Sequence, residues 1–244
     1  MSREFEITRE VDLPAAPDDV WTAITADTAA WQFPTGMEIP VGATPPEGAP
    51  ITTWDPPRRL VIRMESPNGS FNALDYAIEA REGGTAHLRY VHSGILAGEW
   101  EDQYDAVDGH TDFYLHTLGQ YLEHFNGRPV TYVGQPSSGI EGPEAAGTPD
   151  AMDALRAALG ISSDAKVGDA VHASLGDAGT LDGVIDYSTP EFLGVRDDDG
   201  LFRFFGRNHY GSVVGMSAHL FVEGGVDAAA SEAALKAWLD GVYA

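Results

Sequence analysis

Apolar and polar residues alternate along Phe5-Glu6-Ile7-Thr8-Arg9-Glu10-Val11-Asp12-Leu13, which predicts a half-buried strand ended by Pro14. Pro17-Asp18-Asp19 then opens a helix, because proline suits the first turn and acids there meet the helix dipole. Val20, Trp21 and Ile24 supply its buried side. Two short strands, 51–54 and 60–64, flank the turn Asp55-Pro56-Pro57. Asn68-Gly69 is a hairpin signal, and beyond it Leu74, Tyr76 and Ile78 alternate with Asp75 and Glu79. Gly83-Gly84 turns the chain into a further strand in which Leu88, Tyr90 and His92 share a face, with a break expected at Ser93-Gly94. From Trp100 to Phe125 the period changes. At 100° per residue Tyr104, Val107, Thr111, Leu115, Leu118, Leu122 and Phe125 fall on one stripe, while Asp105, Asp112, His116 and Glu123 fall opposite. This is a long amphipathic helix that closes over the sheet.

The pattern then starts again. Residues 134–147 are rich in Gly, Pro and Ser and read as a linker. Thr148-Pro149-Asp150 starts a helix with Met152, Leu155 and Leu159 on its stripe. Strands are expected at 167–175, 181–188, 191–197, 201–207 and 212–222, with Asp197-Asp198-Asp199-Gly200 at a hairpin tip. A last helix runs from about 228 to 243, capped by Asp227. The expected organisation is a first domain at 1–133, a linker at 134–147 and a second domain at 148–244. Each half reads helix, strand meander, closing helix. The class is therefore α+β with antiparallel sheets, not alternating βαβ.

Composition narrows the functions open to such a chain. There are no cysteines among the 244 residues, which removes disulfides, thiol catalysis and thiolate metal sites. The formal charge is −24, and it is spread along the chain: residues 1–133 carry 8 basic and 21 acidic groups, residues 134–244 carry 6 and 17. Such a surface repels phosphate backbones and anionic membranes, so neither nucleic acid nor membrane insertion is expected. A solubility role explains the charge, and steering of a basic protein partner is the alternative. The N-terminus has no apolar signal region and no apolar run approaches ~20 residues, so a cytoplasmic protein is expected.

Several segments, taken in order, carry a family resemblance. Val11 to Leu13 with Pro17 and Val20-Trp21 resembles an opening strand followed by a P-x-x-V-W helix. Asp55-Pro56-Pro57-Arg58-Arg59-Leu60 resembles a D-P-P-R-R-L hairpin, and Gly84-Thr85 with His92-Ser93-Gly94 a G-T-x-L-x-x-x-H-x-G strand. Trp100 and the Leu115, Leu118, Leu122 stripe resemble the matching closing helix. Residues 5–125 thereby resemble the START-like or SRPBCC superfamily, and within it the activator of heat-shock protein 90 ATPase homologue group. The resemblance implies a helix-grip fold, a curved antiparallel sheet gripping a long C-terminal helix. By element order the second half is a divergent second copy. Members of such folds hold apolar molecules in a cavity, some are enzymes such as aromatase/cyclases, and the group's name reflects a chaperone activator.

Candidate chemistry is sparse. His92 could line a pocket or act as a general base, or simply end a strand. His110, Asp112 and His116 carry metal-ligand types, but His110 and His116 diverge around a helix and the H-E-x-x-H spacing is absent. No metal or cofactor is expected. Glu99, Glu101, Asp102 and Asp105 are better explained as acids at a helix start than as a catalytic pair. The aromatic residues carry more: Tyr76, Tyr90, His92, Trp100, Tyr104 and Tyr114 are the expected ligand-binding set beneath the closing helix. The leading expectation is a non-enzymatic protein that binds a small apolar or amphipathic ligand. A chaperone-linked interaction module and a cyclase- or hydrolase-type enzyme using His92 are the alternatives.

Overall fold

A computed structural model describes the backbone of residues 3–67, 69–96 and 100–244, and the side chains of all of these except Arg3, Leu96 and residues 100–103. Asn68 and Glu99, and the side chains of Trp100, Glu101 and Asp102, thus lie outside the described residues. The chain divides into two units, Met1–Asn126 and Gly127–Ala244.

In the first unit the alternating N-terminal segment is β1 (Arg3–Leu13). The helix α1 (Pro17–Thr25) follows, with proline in its first turn and Val20, Ala23 and Ile24 buried. Strands β2 (Ile51–Asp55), β3 (Arg59–Glu65), β4 (Phe71–Ala80) and β5 (Ala86–Leu96) form a meander, and α2 (Trp100–His124) closes the unit. The sheet order is β1-β5-β4-β3-β2, antiparallel throughout, so the first strand lies beside the last. The register aligns Ile7, His92, Leu74 and Ile62 in one row, and Arg9, Tyr90, Tyr76, Leu60 and Trp54 in the next. This face carries the helices. Leu115, Leu118 and Leu122 of α2 are buried, as the stripe requires. Arg9 reaches up from the sheet to Asp108 at 2.8 Å and Asp112 at 2.5 Å on α2. Asp112, expected on the wet side beside His116, is therefore an anchor between helix and sheet.

The expected break at Ser93-Gly94 does not occur: β5 continues to Leu96, and Gly94 pairs with Phe5 and Asn72. The glycine is there for space. A Cβ on Gly94 would lie 2.8 Å from the Phe5 ring and 2.7 Å from the Phe71 carbonyl oxygen.

The second unit holds β6 (Thr131–Val133), β7 (Ile140–Glu141), α3 (Ala151–Ala158), β8 (Ala170–Ser174), β9 (Thr180–Ser188), β10 (Phe192–Arg196), β11 (Gly200–Phe205), β12 (Gly215–Leu220) and α4 (Ala228–Val242). Its order is β6-β12-β11-β10-β9-β8, with β7 also on β12. Again the first strand lies beside the last, with a helix after each. Segment 134–147 is thus not a linker. Ile140 pairs with Met216, and both Ile140 and Ala146 belong to the core. Its glycines serve close contacts: a Cβ on Gly139 would lie 2.4 Å from the Met216 carbonyl oxygen. Asp227 caps α4 as expected, accepting from the Ala230 N–H at 3.1 Å. The chain is α+β with antiparallel sheets and a C-terminal helix.

Candidate functional site

Two places on the inner face of the first sheet gather the residues that could act. The first lies over β1 and β5. The Phe5 ring meets His92 edge-on at 5.1 Å and Tyr104 at 6.5 Å. Tyr90 stands 6.3 Å from His92 and 5.0 Å from Tyr76. His92 Nε2–H donates to Asn72 Oδ1 at 2.6 Å, across the β4–β5 pairing. Burial pushes the imidazole pKa down to about 4, so at neutral pH the ring is uncharged. Burial pushes the Tyr76 and Tyr90 hydroxyls up, so both remain protonated. These rings fill one another's space as a packed aromatic row.

The second place is hollow. A cavity of about 250 Å³ lies between α1, strands β2–β4 and the stretch from Thr28 to Pro50. Its walls are mostly apolar: Ile24, Trp31, Trp54, Leu60, Leu74 and Tyr76. Two tryptophans hold its frame. Trp31 Nε1 donates to the Ala23 carbonyl at 2.9 Å, and Trp54 packs edge-on against Trp21 of α1 at 4.8 Å. Its polar groups are Thr25, Thr28, Gln32, Thr35 and Glu38. Thr25 is spoken for, since its hydroxyl donates to the Trp21 carbonyl at 2.7 Å. Glu38 binds Thr28 and Thr35, and the next residue, Ile39, donates its N–H to the Thr25 carbonyl at 2.8 Å. The stretch is thereby stitched to the end of α1. A second hollow of about 320 Å³ runs between the end of β1 and α2, lined among others by Leu13, Leu115, His116 and Glu123. Among the described residues, no group of three or more His, Asp or Glu is placed to hold a metal ion, and no helix is long and apolar enough to cross a membrane.

Of the five expected site residues whose side chains are described, Tyr76 alone lines the 250 Å³ cavity. Tyr90, His92 and Tyr104 join the aromatic row, and Tyr114 lies 6.1 Å from both Phe33 and His110. The Trp100 side chain lies outside the described residues. Among the described residues, none of α2 lines the cavity, which sits under α1 and the 28–50 stretch; the expected location was beneath the closing helix. The physical reason is that Phe5, Tyr90, His92 and Tyr104 pack against one another over β5 and the start of β1, and the hollow that does lie against α2 is at the other end of β1. Trp31, Glu38, Ile39 and Thr28 were missed. A signal for them existed: residues 31–50 contain five prolines and no periodic pattern, yet include Trp31, Phe33, Met37 and Ile39. A long aperiodic stretch with large apolar residues inside a folded unit points to a binding loop.

No family model matches the chain, and no curated protein is similar to it. Solved structures give distant likenesses. The Aha1 dimer from Colwellia psychrerythraea is 19% identical, with 50% of this chain and 99% of that one covered and a TM-score of 0.39. The Mll3558 protein from Rhizobium loti is 18% identical, over 50% of this chain and 99% of that one, with a TM-score of 0.39. DynU16, a protein of the dynemicin biosynthetic locus, is 14% identical over 98% of this chain and 95% of that one, with a TM-score of 0.38. At these TM-scores the functional reading rests on the chain's own geometry.

Proposed function

We propose that this chain is a cytoplasmic, non-enzymatic protein built from two START-like helix-grip units, and that the first unit binds a small apolar or amphipathic molecule. What supports the paired units is their common strand order, first strand beside last, with a helix after each. What carries the binding reading is the cavity of about 250 Å³ under α1, walled by apolar and aromatic side chains with a few polar groups at one side. Its volume lies just under the usual range of roughly 300–1,000 Å³ for ligand pockets, so the occupant is small. A His92-dependent cyclase or hydrolase is disfavoured because burial makes the ring a weak base, and it is packed among aromatics and committed through Nε2 to Asn72.

The test is native mass spectrometry of the protein purified from its own cell. A small molecule should travel with the wild-type chain. The variant Ala49→Leu, which pushes a larger side chain into the cavity wall, should lose it while remaining folded. A clean apo mass for the wild type overturns the binding reading.

A further inference from the structure

Among the described residues, one carboxylate stands in the cavity wall, and its surroundings fix both its charge and its position. Glu38 Oε1 accepts the Thr28 hydroxyl at 2.6 Å, the Thr35 N–H at 2.6 Å and the Thr35 hydroxyl at 3.1 Å. The three threonine donors all converge on Oε1; Oε2 receives none of them and is the oxygen assigned to a ligand. Burial pushes the Glu38 carboxyl up, but hydrogen bonds from Thr28, Thr35 and its own N–H outweigh this and hold it below the usual carboxylate range. Glu38 is thus a fixed anion at neutral pH. The same cavity is lined by Trp31, Trp54 and Tyr76, aromatic rings of the kind that attract cations.

These two features select the same ligand chemistry. A protonated amine can donate a charge-assisted hydrogen bond to Oε2, about twice as strong as a neutral one. A hydroxyl can donate to the same oxygen but brings no opposite charge, and a carboxylate meets repulsion. We propose, on the binding reading above, that the cavity takes a small amphipathic amine: an aromatic or aliphatic body among Trp31, Trp54, Leu60 and Tyr76, with its ammonium group on Glu38.

The experiment is calorimetric titration of the full chain with three probes of one shape, 2-phenylethylamine, 2-phenylethanol and 3-phenylpropionate, at neutral pH. The amine should bind about tenfold more tightly than the alcohol, and the acid should not bind. The variant Glu38→Gln keeps a carbonyl oxygen for Thr28 and Thr35, so it should fold. It should lower amine affinity to about that of the alcohol and weaken the alcohol much less, since only the amine loses an opposite charge. It changes a formal charge of −24 by only one unit, so general attraction of cations is held constant. If the three probes bind alike, or if Glu38→Gln keeps the amine preference, the amine inference falls and the cavity reading stands. If none of the three binds the wild type, the cavity reading itself falls.

Discussion

The two units share a strand order and differ in what they do with it. In the first, 25 residues (26–50) separate the first helix from the meander; in the second, only 11 (159–169) do. The longer excursion roofs a cavity between α1 and the outer strands. In the second unit the corresponding helix packs onto the sheet: Met152, Leu155 and Leu159 join Leu181, Ile185 and Leu193 in one buried cluster. The sheets differ in the same direction. Both carry a bidentate Arg–Asp pair between strands. Arg59–Asp75 lies on the outer face of the first sheet, with side chains 54% and 24% exposed. Arg203–Asp186 in the second is 2% and 3% exposed. To make it, Arg203 of β11 reaches across β10 to β9, and the crossing point is Gly194. A Cβ there would lie 2.1 Å from Asp186 Oδ1 and 2.4 Å from Arg203 Nη1. One topology thus serves as a container with a polar outer face in one half, and as a closed core with a buried ion pair in the other.

The largest expected effect would break this contrast if it failed. Arg203→Ala removes the bidentate partner of a buried carboxylate and should destabilise the second unit by about 3–5 kcal/mol. Arg59→Ala should cost the first about 0–1 kcal/mol, because solvent screens an exposed pair. Residue-resolved hydrogen exchange reads the two units separately. Equal effects would refute the assigned difference in burial.

A smaller effect sharpens the contrast between hollow and solid. Leu193 and Leu60 are both buried, but Leu60 is a cavity wall. Leu193→Ala should cost about 4 kcal/mol by opening a void in a packed core. Leu60→Ala should cost about 2 kcal/mol, since fewer neighbouring atoms lose a contact, and it should admit bulkier probes. Exchange at β10 and β3 amides gives both numbers; a larger loss at Leu60 would contradict the presence of the hollow.

The smallest effect is acid sensitivity confined to the first unit. The folded His92 pKa is about 4, against 6.5 in the unfolded chain. Between those values the unfolded state binds the extra proton, so stability rises with pH. The His92 contribution is fully present above pH 6.5 and is lost as pH falls toward 4, by about 2 kcal/mol after allowing for the ring's partial exposure. His92→Phe should flatten the profile. Urea denaturation followed by tryptophan fluorescence at pH 7 and pH 4.5 checks this, because Trp21, Trp31, Trp54 and Trp100 are in the first unit and Trp238 alone is in the second. An unchanged profile in His92→Phe would mean that another group titrates.

Much of this fold is written locally. The alternation of residues 5–13, the turn at Asp55-Pro56-Pro57 and the 100° stripe of the long helix each depend on neighbours a few positions away, so periodicity alone located β1, the β2–β3 hairpin and α2. The return of helix, meander and helix in the second half was legible for the same reason. What misled was glycine. At Ser93-Gly94 and across 134–147 its local meaning is a turn or a linker, whereas its tertiary meaning is room for Phe5 and for the β12 backbone.

The candidate site was less legible because its partners are joined through space. The aromatic row was visible as alternation of Tyr76, Tyr90 and His92, but which rings touch one another and which face a hollow depends on strand register. Glu38 sits in an aperiodic stretch; only the folding of that stretch onto α1 brings Thr28 and Thr35 to one of its oxygens and puts it in the wall of an aromatic cavity. Arg9 finds Asp112 103 positions away, and Arg203 finds Asp186 over a glycine on the intervening strand. By itself the sequence determined the order and type of the elements, the faces they bury and the acidic surface, because these follow from near-neighbour periodicity and composition. Tertiary structure alone decided where space remains, which charges are buried, and which carboxylate looks into the hollow. Those are properties of contacts between distant residues, and no local pattern carries them.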